Sequence, residues 1–108
     1  MNFFKNYINS KKYIEKRLIK FAINRYSSFR SSDEGKSLKL SLYSEQGALC
    51  ANPNCKCKTK LPIELLEMDH IKPISKYPEF AVDKKNFQLL CSNCNRKKSV
   101  KIEIGENR

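Results

Sequence analysis

The sequence predicts an α+β protein in which one basic amphipathic helix precedes a small strand–strand–helix unit stapled by a metal ion. Three observations carry this. Apolar residues recur at helical spacing between Asn6 and Tyr26. Cysteines occur in two groups, Cys50-x4-Cys55 and Cys91-x2-Cys94, a few tens of residues apart, as in four-thiolate structural metal sites. Two short apolar runs, within Leu61–His70 and Phe87–Cys91, have strand length, and a helix-compatible segment follows the second. At 108 residues the chain is one domain with room for only a modest core, so any staple matters to its stability.

In the first helix Tyr7, Ile14, Leu18 and Phe21 share one face, widened by Ala22 and Tyr26. Lys5, Lys12, Lys16 and Lys20 line the opposite side and Arg17 flanks the apolar one, while Ile19 and Ile23 fall towards the lysines and blur the pattern. Residues 1–30 hold eight basic residues and one acid, Glu15, so +7 of the net charge of +11 sits here. Such a helix packs its apolar face on a core and leaves lysines in water, or it also tracks a phosphate backbone with Lys12, Lys16 and Lys20. Lying on a membrane surface is the weakest option. Ser27–Ser37 is polar and serine-rich and reads as a loop. The expected division is therefore a helix over 1–30, a linker over 31–37, the main domain over 38–100 and a polar, frayed tail over 101–108, in which Ile102 and Ile104 alternate as in a strand. Leu38–Gln46 is expected to form a short helix, with Gly47 as its C-cap.

Pro53 and its flanking asparagines suit the tight turn that brings two sulfurs to one ion. A fifth thiol, Cys57, leaves one cysteine spare. Cys50, Cys55, Cys91 and Cys94 are the favoured ligands, because Cys55-x-Cys57 is cramped for two ligands of one tetrahedral centre; Cys50 with Cys57 stays open as the alternative. A first strand is expected over Leu61–His70, a loop packed down by Tyr77 and Phe80 over Lys72–Lys85, a second strand over Phe87–Cys91, and a helix capped by Ser92 running to about Val100.

His70 is the sole histidine. It follows Asp69, and Asn86 and Cys91-Ser92-Asn93-Cys94-Asn95-Arg96-Lys97-Lys98 come after it. Taken singly, Asp69-His70 is an ordinary surface pair, Asn86 a turn residue and Asn95 a helix-surface amide. Taken together over Leu49–Ser99, they resemble the HNH nuclease family. The resemblance implies a small ββα-metal nuclease core stapled by a four-cysteine zinc site, cutting DNA by direct water attack to leave a 5′-phosphate. It implies His70 as the general base, Asp69 and Asn95 as ligands of a divalent cation, Mg²⁺ or Mn²⁺, and Asn86 as the brace of the loop between the strands. Asn95 stands where the family's name has a histidine, which shifts the metal preference towards hard ions. Neighbours on a regular strand point to opposite faces, so a distorted strand end is expected at Asp69-His70. Arg96, Lys97 and Lys98 on the same helix are candidate phosphate contacts.

Twenty-two Lys and Arg against 11 Asp and Glu, with a pI of about 9.6, favour a polyanionic partner. DNA is favoured over RNA; a homodimer or a larger nuclease complex stays open. No apolar run approaches the roughly 20 residues of a membrane span. Five cysteines without a secretory signal argue for a reducing compartment and for metal over disulfides. The cytoplasm is the expected location, although the basic first 32 residues overlap in composition with organellar transit peptides. Besides the endonuclease, two readings stay open: a zinc-stapled module that binds nucleic acid without cutting it, and an accessory nuclease subunit of a mobile-element, phage or restriction system.

Overall fold

A computed structural model describes residues 3–103, with the side chains of residue 6 and residues 9–101. The chain runs as helix α1 (Phe3–Ser31), helix α2 (Asp33–Glu45), strand β1 (Leu66–His70), strand β2 (Phe87–Cys91) and helix α3 (Ser92–Glu103). Short 3-10 turns at Ile63–Leu65, Pro78–Phe80 and Lys84–Asn86 lead into or link the strands. The architecture is the expected α+β one, with a two-stranded antiparallel sheet whose register pairs Leu66 with Cys91 and His70 with Phe87.

The loop expected over Ser27–Ser37 is corrected. Serines 27, 28 and 31 stay in α1, and only Ser32 breaks the helix. Ser32 is extended (φ −78°, ψ 163°), and its Oγ accepts from Gly35 N at 3.1 Å as the N-cap of α2, with Asp33 and Glu34 in the first turn where the helix dipole favours them. Polar composition pointed to a loop, but serine is equally the residue that starts a helix. Gly35 marks how tightly the two helices meet. A Cβ there would sit 2.1 Å from Phe29 O, so only glycine fits beneath the last turn of α1.

The packed face of α1 also differs from the expected one. Ile14, Leu18 and Phe21 are 56%, 53% and 61% exposed, whereas Ala22 is buried and Ile19, Tyr26 and Phe29 are half-buried. The helix outruns its expected end at Tyr26, so the residues that dock it lie in its second half. Tyr26 and Phe29 both stack on Phe87 with ring centroids 5.8 Å apart. Every described side chain from Asn6 to Leu18 is exposed. No described helix is long and apolar enough to cross a membrane.

α2 starts at Asp33, before the expected Leu38, and ends at Glu45 with Gln46 as its C-cap. Gly47 follows in the left-handed conformation (φ 63°) that closes the helix, and Ala48 at φ 65°. Gly47 N reaches Ser44 O and Ala48 N reaches Tyr43 O, the paired bonds of a Schellman cap. The Gln46 side chain then pairs with the backbone of β2: its Oε1 accepts from Leu89 N at 2.9 Å, and its Nε2 donates to Leu89 O at 3.0 Å. This amide covers an edge that a two-stranded sheet leaves open. Leu66, Leu89 and Leu90 are fully buried around the sheet. β1 is shorter than expected, because a 3-10 turn takes Ile63–Leu65. α3 starts at Ser92 itself, not after it as a cap would require, and runs past Val100 to Glu103. The Tyr7 side chain, Ile102's side chain and the tail from Ile104 lie outside the described residues.

Because α2 depends on the close approach at Gly35, Gly35→Ala should cost about 1–3 kcal/mol, the range typical of overpacking. Urea unfolding monitored by circular dichroism should show a lower midpoint with a similar slope.

Candidate functional site

The four favoured cysteines converge. The Sγ atoms of Cys50, Cys55, Cys91 and Cys94 all lie within 4.8 Å of one another. Metal–sulfur bonds of about 2.3 Å in a tetrahedron place sulfurs about 3.8 Å apart, and Cys55 Sγ lies 3.7 Å from Cys91 Sγ. Cys55 and Cys94 are buried, while Cys57 is exposed. The turn between Cys50 and Cys55 is built by Asn52, whose Oδ1 accepts from Asn54 N and whose backbone O accepts from Cys55 N. Asn52 Nδ2 also donates to Cys94 Sγ at 3.3 Å, and Cys91 N donates to Cys50 Sγ at 3.3 Å. Such N–H groups orient sulfur ligands. The cluster is positioned to hold a structural metal such as zinc.

β1 separates Asp69 from His70. The strand is regular to its end, so the expected distortion is absent, and the two side chains find different surroundings. On one face His70 packs edge-on against Tyr26 (4.4 Å) and beside Phe87 (4.7 Å), while its Nε2 meets Ala81 O at 2.8 Å. On the other, Asp69 Oδ2 accepts from Gln88 Nε2 at 2.9 Å and Lys98 Nζ at 2.5 Å. The strand end nonetheless opens into one cleft of about 270 Å³ lined by both residues, with Tyr26 and Arg30 of α1 and Lys98 of α3.

Asn86 is buried and its amide spans the loop between the strands. It accepts from Lys72 N at 2.8 Å and donates to Lys72 O at 3.1 Å and Phe80 O at 3.0 Å. That fixes the segment whose next carbonyl, Ala81 O, meets His70. Lys72 Nζ sits over Phe80 and Tyr77, 4.8 and 5.5 Å from their ring centroids.

Asp69 and Asn95, the expected cation ligands, engage different partners. Asn95 Nδ2 donates to Glu67 Oε1 at 2.9 Å. Glu67 was not singled out by sequence, although it lies two residues before Asp69 and so shares its face of the strand. Two carboxylates and an amide form an oxygen-rich set suited to a hard divalent cation, but an ammonium lies against Asp69. It belongs to Lys98, one of the candidate phosphate contacts, which is 7% exposed and donates to His70 O as well as to Asp69. Arg96 and Lys97 are exposed, as are Lys12, Lys16 and Lys20. Tyr26 and Arg30 had no sequence signal as cleft residues; only the docking of α1 brings them there.

If the cluster holds metal as its geometry indicates, the purified protein should carry about one tightly bound zinc per chain. Cys55→Ser should lose it and Cys57→Ser should keep it, by elemental analysis. The reverse result would assign the fourth ligand to Cys57.

The sequence model of the family described as HNH endonuclease matches residues 50–101. No curated protein and no solved structure matched the chain. The match covers just under half of the chain and contains all four clustered cysteines, both strands and α3 up to Lys101. Residues 50–101 thus match an HNH endonuclease domain, the segment that carries the cysteine cluster and the ββα unit.

Proposed function

We propose that the protein is a metal-dependent endonuclease that hydrolyses phosphodiester bonds in DNA, with His70 as general base. The observation that carries this reading is the contact between His70 Nε2 and Ala81 O. A carbonyl can only accept, so Nε2 carries the proton and the neutral ring keeps its lone pair on Nδ1. Burial lowers the ring's pKa from its usual 6.5; the Ala81 carbonyl and the Asp69 charge pull upward without cancelling that. The imidazole is therefore neutral at pH 7 and able to accept a proton.

In the proposed step Nδ1 takes a proton from water as the water oxygen attacks phosphorus. The bond to the 3′ oxygen breaks, leaving a 5′-phosphate. Asn86 holds the loop that orients the ring. Asp69 and Asn95 would hold Mg²⁺ or Mn²⁺, which when bound supplies charge neutralisation at the phosphate and the departing oxygen. A zinc ion at Cys50, Cys55, Cys91 and Cys94 would be structural. Exposed Lys12, Lys16, Lys20, Arg96 and Lys97 supply backbone attraction that is independent of sequence and sensitive to salt.

The Lys98–Asp69 pair favours a second reading, a zinc-stapled domain that grips nucleic acid without cutting it. Incubation with supercoiled plasmid separates the two. Cleavage should need Mg²⁺ or Mn²⁺ and stop with EDTA. His70→Ala should lose on the order of 10²–10⁴-fold in rate with zinc content unchanged. Protonation removes the base, so the wild-type rate should fall as pH drops, with a midpoint below 6.5 because burial disfavours the charged ring. His70→Ala cutting at the wild-type rate would refute the mechanism. A wild-type protein that binds DNA and never cuts it would establish the second reading.

A further inference from the structure

We infer that Lys98 is a gate on the cation site: its ammonium holds Asp69 until a nucleic-acid phosphate draws it away, so divalent-cation binding depends on substrate. The inference rests on the reading of Asp69 as a cation ligand. Lys98 lies three residues after Asn95 on α3, so both side chains reach the face of β1 that carries Glu67 and Asp69. The ammonium is not a surface charge resting near an acid. Lys98 and Asp69 are 7% and 10% exposed, the Nζ–Oδ2 distance is 2.5 Å, and the same Nζ donates to His70 O.

A dication coordinated by Asp69 would stand within a few ångströms of that ammonium, with little water between them to screen the repulsion. Charge counting gives the order of events. Glu67, Asp69 and Lys98 together carry −1; a dication alone would turn the group to +1, and a dication with one phosphodiester makes it neutral. The cleft at the strand end is lined by Asp69, His70 and Lys98, with exposed Arg30 at its side, so a phosphate there meets the ammonium directly. The four-carbon stem of lysine lets Nζ transfer from carboxylate to phosphate without movement of α3. Lys98 is thus a positioning residue that ties metal loading to substrate loading.

The test measures Mn²⁺ binding to the zinc-loaded protein by the electron paramagnetic resonance signal of free Mn²⁺. His70→Ala is used throughout so that the DNA stays intact. Adding a short DNA duplex should tighten Mn²⁺ binding at least tenfold, a result that needs no change at Lys98. Lys98→Met should bind Mn²⁺ at least tenfold tighter without DNA and gain little from the duplex, while Lys98→Arg should keep the duplex dependence. Adding Asp69→Asn to Lys98→Met should abolish the gain. Mn²⁺ bound equally well with and without duplex when Lys98 is present would overturn the gate and leave the cation site standing. No Mn²⁺ bound under any condition would overturn both.

Discussion

The fold turns on the convergence of four sulfurs. Cys50 and Cys55 come from the turn after α2, Cys91 ends β2, and Cys94 lies in the first turn of α3. A metal at that point would join three segments, the turn after α2, the end of β2 and the start of α3. Three fully buried leucines contribute roughly 1.5–3 kcal/mol each. A structural zinc site is worth on the order of 10–16 kcal/mol in apparent binding free energy. A zinc ion bound there would therefore outweigh those three leucines as a tie across this half of the chain. Gln46 adds a second tie, since its side chain fixes Leu89 while its backbone ends α2.

From that anchor the site follows by strand geometry. Cys91 pairs with Leu66, and the register then sets Gln88 opposite Asp69 and Phe87 opposite His70. A regular strand sends those two acid–base groups to opposite sides. His70 enters a half-buried aromatic environment whose desolvation lowers its pKa, with Nε2 against the Ala81 carbonyl, and Asp69 enters a polar one to which α3 contributes Lys98. The separation gives each group its own hydrogen-bond partners, although the Asp69 charge still pulls the His70 pKa upward. α1 contributes through Tyr26, which packs on the ring, and through Arg30, which lines the cleft.

Local signals were legible in the sequence where one residue type has one physical use. Gly47 takes a left-handed conformation, Asn52 and Pro53 shape the turn between two sulfurs, and Cys91-x-x-Cys94 brackets a helix start. What the sequence hid was tertiary. The apolar stripe Ile14–Leu18–Phe21 is regular yet exposed, because the helix continues past its serines and docks by Tyr26 and Phe29 instead. Periodicity reveals that a helix has a face, not which stretch of it meets a partner. Lys98 was hidden for a similar reason. A lysine in a basic run belongs in water by default, and only the strand register shows that a carboxylate waits beneath it.

A metal held by the four cysteines would maintain the sheet on which the candidate site is built. The direct test is amide hydrogen exchange across the chain, with plasmid cutting followed on the same samples, before and after a zinc-selective chelator acts with Mg²⁺ in excess. Protection of Leu89, Leu90 and Cys91 should collapse together with cleavage, while amides in the exposed first half of α1 are unaffected. Full protection of β2 and undiminished cutting after the cysteines have lost their metal would contradict it.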